Sequence, residues 1–172
     1  MNSTIKNTDQ TFAKRIHRGG GAHREGMKLA EPASCPKCSS IYCDGRWVSP
    51  QFVKESGKHK HWRPSNAVIC QACRQIADHV VGGYLTLNGK FLVTHHDEII
   101  RLIENEAIRA IEDNPLSRIM DRIEAEDEIL LETTTEHMAQ RLGHALNNAF
   151  SGKVTYDVSH ENKVARVNWH RD

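Results

Sequence analysis

Cys35-Pro36-Lys37-Cys38 and, further along, Cys70-Gln71-Ala72-Cys73 decide how this chain is read. Each C-x-x-C brings two sulfurs to one tight turn. Two such pairs, joined by a segment that folds back, complete a tetrahedron around a single ion. Four thiolates leave no position open for water, so the pattern predicts a closed, structural Zn2+ site held by Cys35, Cys38, Cys70 and Cys73. Between the pairs lie 31 residues, more than the usual spacer of about 15–20, and an insertion rich in Lys and His accounts for the excess. One C-x-x-C alone can be a redox dithiol, but here two pairs flank a short hairpin and no βαβ unit surrounds them. The zinc-deaminase order, H-x-E before P-C-x-x-C, is not met, because His96 and Glu98 follow both pairs and neither pair is preceded by proline. Cys43 is read as a strand residue.

Working outward, Ile41-Tyr42-Cys43 and Arg46-Trp47-Val48 look like strands about an Asp44-Gly45 turn. Residues 74–81 read as a helix stopped by Gly82-Gly83. These segments define a zinc-ribbon module at 31–81. Upstream, residues 1–30 lack apolar periodicity and form a flexible basic arm. Downstream, 82–115 reads as a hairpin with an Asn88-Gly89 turn and a connecting helix over 94–113, with Ile100, Ile103, Ala107, Ala110 and Ile111 on one face. Residues 116–172 follow the order ββαββ: strands at 118–125 and 129–132, a helix opened by a Thr133/Glu136 capping box, then Val154-x-Tyr156-x-Val158 and Ala165-x-Val167-x-Trp169. The expected fold class is α+β: an N-terminal zinc ribbon, then an antiparallel-sheet domain of ββαββ order with an additional packed helix.

Composition narrows the function classes. Among 172 residues, 26% are charged and the apolar runs are short, which excludes a membrane-spanning helix. Residues 1–10 lack the apolar core of a secretory signal. An odd cysteine count with two C-x-x-C pairs suits a reducing compartment, so a cytoplasmic location is expected. The net charge of +1 conceals an asymmetry: residues 1–92 hold 14 Lys/Arg against 6 Asp/Glu, and residues 93–172 hold 9 against 16. Either the halves neutralise each other in the fold or the basic half meets a polyanion. Candidate RNA contacts are Lys14, Arg15, Arg18, Arg24 and Lys28 in the arm, with Lys37, Arg46, Lys54, Lys58, Lys60, His61, Trp62 and Arg63 in the module. Cations neutralise phosphates and planar rings stack on unpaired bases. Trp47 is read as core and Trp62 as exposed. His95-His96 and the His59/His61 pair are read as surface histidines, and the acidic run 121–128 as a solvated strand edge and turn. No phosphate-binding glycine loop, nucleophile elbow or H-E-x-x-H is present, so neither enzymatic activity nor a small-molecule substrate is expected.

Cys35-Pro36-Lys37-Cys38, Gly45-Arg46-Trp47, Cys70-Gln71-Ala72-Cys73, 83–87, Arg118-Ile119-Met120, Thr133-Thr134-Thr135 with His137 and Ala139, and Val167-Asn168-Trp169 resemble a group of bacterial proteins with one zinc ribbon. That group is distantly similar to the archaeal and eukaryotic export adaptor of the large ribosomal subunit. The resemblance runs from about residue 30 to the end. It implies binding to the ribosome through large-subunit rRNA, in a stress or hibernation setting. It departs from the adaptor in having fewer cysteine pairs. The rival readings are a DNA-binding, transcription-associated zinc ribbon and a redox or zinc sensor.

Overall fold

The computed structural model describes residues 29–57, 66–158 and 164–172. These residues form an α+β structure with two separate sheets. Residues 1–28 of the arm expected at 1–30, and residues 58–65 of the basic insertion, lie outside them.

The first sheet has four short strands in the order β3-β2-β1-β4. β1 (Ala33–Ser34), β2 (Ile41–Cys43) and β3 (Arg46–Val48) are antiparallel neighbours, and β4 (Asn66–Ala67) runs parallel to β1. Asp44 and Gly45 both take positive φ, 51° and 73°, as a two-residue hairpin turn demands. The Glu31 carboxylate accepts hydrogen bonds from both their amides, at 2.8 and 2.9 Å. Beyond β3 the chain forms α1 (Pro50–Ser56), which the sequence reading did not anticipate. Its punctuation is orthodox: Ser49 caps the Phe52 amide, Pro50 occupies the first turn, and Gly57 ends the helix with positive φ. The lysines and histidines beyond it hide a helix of about two turns.

α2 (Gln71–Ala77) starts inside the second cysteine pair, so the helix expected at 74–81 is corrected at both ends. His79 adopts φ 51°, and this left-handed residue, not the glycines that follow, turns the chain away.

The second sheet contains β5 (Gly83–Asn88), β6 (Ile119–Glu124), β7 (Glu128–Thr133), β8 (Lys153–Val158) and β9 (Ala165–His170), in the order β6-β7-β5-β9-β8. β5 is parallel to β9 and every other pairing is antiparallel. Two expectations fall here. The Asn88-Gly89 hairpin does not form; Gly89, at φ 113°, starts α3 (Lys90–Thr94), and α4 (His96–Asp113) follows. β7 and β9 already occupy both edges of β5, which leaves no edge for a hairpin partner. Nor do residues 116–172 build an antiparallel sheet of their own, because β5 is inserted between β7 and β9. Alternation shows that a segment is a strand, but not which strands it will pair with.

Leu85, Leu87, Ile129, Leu131, Val167 and Trp169 alternate along β5, β7 and β9 and are buried. α5 (Glu136–Phe150) packs on these strands through Met138, Ala139, Leu142 and Leu146, while α4 packs on α5 and adds Ile99, Ile103 and Ala110 to the same core. The α4 stripe is rotated from the expected one: Ile99 is fully buried and Ile111 is 38% exposed. The α5 cap is Thr135, whose hydroxyl accepts from the Met138 amide at 3.2 Å. Thr133, the expected cap, instead donates to the carbonyls of Gly83 and Thr135. α5 approaches β9 closely at Gly143, where a Cβ would lie 2.7 Å from Val167 Cγ1. Among the described residues, no helix is long and apolar enough to cross a membrane.

Candidate metal centre

The centre is assembled by two turns. After β1 the chain makes a knuckle in which the Cys35 amide donates to the Ser40 carbonyl and the Ser39 amide to the Cys35 carbonyl, both at 2.8 Å. Ser39 takes φ 63° to close it. The second pair sits at the start of α2, where Cys70 is the N-cap residue and Cys73 lies one turn in. The parallel pairing of β1 with β4 brings these turns together.

The sulfurs of Cys35, Cys38, Cys70 and Cys73 all lie within 4.8 Å of one another. Cys38 Sγ and Cys70 Sγ are 3.7 Å apart. Zinc–thiolate bonds of about 2.3 Å in a tetrahedron place sulfurs about 3.8 Å apart, so the spacing fits an ion in the middle. The four residues can therefore hold one metal ion, as the cysteine pattern suggested. Cys35 and Cys70 are buried, and Cys38 and Cys73 are half-buried. Cys43 is buried in β2 and is not one of the four. Among the described residues, no other group of three or more His, Cys, Asp or Glu side chains is drawn together in this way. His96 instead contacts Glu124, at 3.1 Å, and Asp97.

The thiols do not share one acidity. Burial works to raise the Cys38 thiol, but hydrogen bonds from Ser40 and Arg118 prevail and draw it down to about 6. Burial pushes the Cys70 and Cys73 thiols up. Burial therefore works against ionisation of the second pair, while the donors around Cys38 favour it in the first. A metal must displace thiol protons as it binds, so affinity rises with pH.

Arg118, at the threshold of β6, was not among the residues singled out for the site. Its Nη1 lies 3.5 Å from Cys73 Sγ, its Nη2 lies 3.4 Å from Ser40 Oγ, and its Nε donates to the Pro115 carbonyl at 2.7 Å. Arginine at that distance in sequence carries no local signal. Gln75 adds a second tie between the two sheets, donating to the Thr134 carbonyl at 3.0 Å, and His79 Nε2 lies 3.1 Å from Glu132 Oε2.

Of the residues expected to contact RNA, Lys37, Arg46 and Lys54 are described, and all three are exposed on the cysteine module. Lys14, Arg15, Arg18, Arg24, Lys28, Lys58, Lys60, His61, Trp62 and Arg63 lie outside the described residues. Arg46 sits over the Phe52 ring, 5.0 Å from its centroid, and Phe52 is 41% exposed. This pairing of a cation with an aromatic face was missed because Phe52 belongs to the unanticipated α1. Trp47 is buried against Tyr42, with ring centroids 5.4 Å apart, as its reading as core required. Comparison with protein-family models, curated proteins and solved structures returns no match to this chain.

Proposed function

We propose that this chain is a zinc-centred RNA-binding protein without enzymatic activity, and that its cytoplasmic target is the ribosome, through large-subunit rRNA. The observation that carries the reading is the surface of the cysteine module: Lys37 from the first knuckle, Arg46 over Phe52, and Lys54 from α1. Two cysteine turns hold this surface where the apolar residues are too few to do so. Zinc is the ion of choice for four thiolates in a closed tetrahedral set. The cations supply phosphate contacts, and the exposed Phe52 ring offers a face on which an unpaired base can stack. The arm and the 58–65 insertion extend the same charge. The choice of ribosomal RNA, and of a stress or hibernation setting, rests on the family resemblance described above.

The test is sedimentation of the full chain with ribosomes in a sucrose gradient. Co-migration at low salt, lost steeply as salt rises, is expected of phosphate contacts. A protein that stays at the top of the low-salt gradient rejects the ribosome as target. Crosslinking then separates the rivals, since recovery of DNA in place of rRNA favours the transcription-associated reading.

A further inference from the structure

The two cysteine pairs are spanned by one side chain from the other sheet. Arg118 Nη1 points to Cys73 Sγ of the second pair at 3.5 Å. Arg118 Nη2 reaches Ser40 Oγ at 3.4 Å, and that hydroxyl is 3.1 Å from Cys38 Sγ of the first pair. Nε is fixed on the Pro115 carbonyl. The backbone of Arg118 is held equally firmly: its amide donates to Thr134 Oγ1 at 2.9 Å, and its carbonyl accepts from the Thr134 amide at 2.9 Å. Thr134 Oγ1 in turn donates to the Leu116 carbonyl at 2.6 Å, and Leu116 packs against the apolar residues around the cysteines. A fork of this rigidity, half-buried against sulfur, is expensive to build around a neutral partner. It suits an anion.

Resting on the reading of these cysteines as a loaded zinc centre, we infer that Arg118 is a positioning residue of that centre: it offsets the charge of the metal–thiolate set and holds the Cys38 and Cys73 sulfurs in place. Four thiolates around a divalent cation carry a net charge of −2, and one guanidinium halves it. An N–H donated to a coordinating sulfur withdraws electron density from that sulfur, so the thiolate becomes a weaker nucleophile and keeps its metal against competing electrophiles. The half-buried Cys38 and Cys73 need this protection most, and they are the two that the fork serves.

The experiment is cobalt substitution of the full chain, with wild type compared against Arg118→Gln, Arg118→Lys and Cys43→Ala. Wild-type protein should show the sulfur-to-cobalt charge-transfer band of a tetrahedral thiolate site. If it does not, the metal reading itself fails, and the inference with it. Given the band, Arg118→Gln should move it to lower energy, because the sulfur lone pairs lose a donor. Chelator competition should show metal affinity lowered by about 10–100-fold, the usual cost of losing such a partner. Zinc release by an alkylating agent should quicken. Arg118→Lys keeps the charge without the fork and should fall between. Cys43→Ala thins the same module without touching the charge, so its band should stay at the wild-type energy even if its stability drops. An unshifted band with wild-type affinity in Arg118→Gln, or an equal loss in Arg118→Gln and Cys43→Ala with no shift in either, overturns the inference.

Discussion

Around the four-stranded sheet the buried apolar side chains are Ala33, Trp47, Val48 and Ala72 beside Cys35, Cys43 and Cys70, with Leu29, Tyr42, Val68 and Leu116 partly covered. Around the five-stranded sheet they are Leu85, Leu87, Ile129, Leu131, Val167 and Trp169 on the strands, faced by Met138, Leu142 and Leu146 of α5 and by Ile99 and Ile103 of α4. The first set cannot offset the entropy of ordering its chain by apolar burial alone. A structural zinc can, since such sites bind with about 10–16 kcal/mol. The second set needs no ion. One chain thus carries two solutions to the same problem, and the comparison predicts that they can be disabled separately.

The largest effect should come from Cys70→Ser. Loss of this buried thiol should abolish metal binding and the tertiary structure of the described residues of the cysteine module, 29–57 and 66–81, while the large sheet persists. In an NMR spectrum the Trp47 indole signal should collapse and that of Trp169, whose Nε1 donates to the Ser151 carbonyl at 2.8 Å, should remain. Simultaneous loss of both would show that the sheets fold as one unit. Leu131→Ala should do the converse. Its site in β7 is fully buried, so denaturant unfolding of the large sheet should lose about 2–5 kcal/mol, with metal stoichiometry unchanged. Thr135→Ala removes the α5 cap and should cost about 1 kcal/mol in the same measurement. The smallest effect concerns His96. Its hydrogen bond to Asp97, with Glu124 beside it, raises its pKa above the ordinary histidine value. A raised folded-state pKa means that its contribution is present below the unfolded value and is lost as pH rises through the folded one. Because the group is exposed, the stability effect should be slight. The imidazole titration itself should be visible, and Glu124→Gln should move its midpoint down.

The same contrast explains what the sequence made legible. Metal ligands announce themselves by spacing, because tetrahedral geometry admits few arrangements of C-x-x-C; the four cysteines were therefore read before any fold was known. Helix α4 was legible from its apolar period, although Ile99, not Ile111, completes its buried face, and α5 from its capping pattern, although Thr135 is the cap. The partner strands of β5 were not legible. Leu85 and Leu87 mark a buried strand, but nothing local tells it to lie between β7 and β9, and Asn88-Gly89 imitated a hairpin turn where a helix begins. Arg118 was silent for a different reason: its role depends on a sulfur 45 residues earlier in the chain.

The parallel pairing of β5 with β9 also sets a timetable. A ribosome delivers Cys73 before β5, so the cysteine module can close while the rest of the chain is still unmade. β5 gains one neighbour when β7 emerges, yet its other edge stays open until β9 follows, and Ala165 comes 77 residues after Asn88. At about 5–20 residues per second, that is a wait of about 4–15 s. During this interval the backbone amides and carbonyls along that edge have no strand to satisfy them, and a foreign strand could take the place. The last-made strand is thus the one that seals the middle of the sheet, and a chain interrupted before residue 165 would carry a finished cysteine module beside an unsealed sheet.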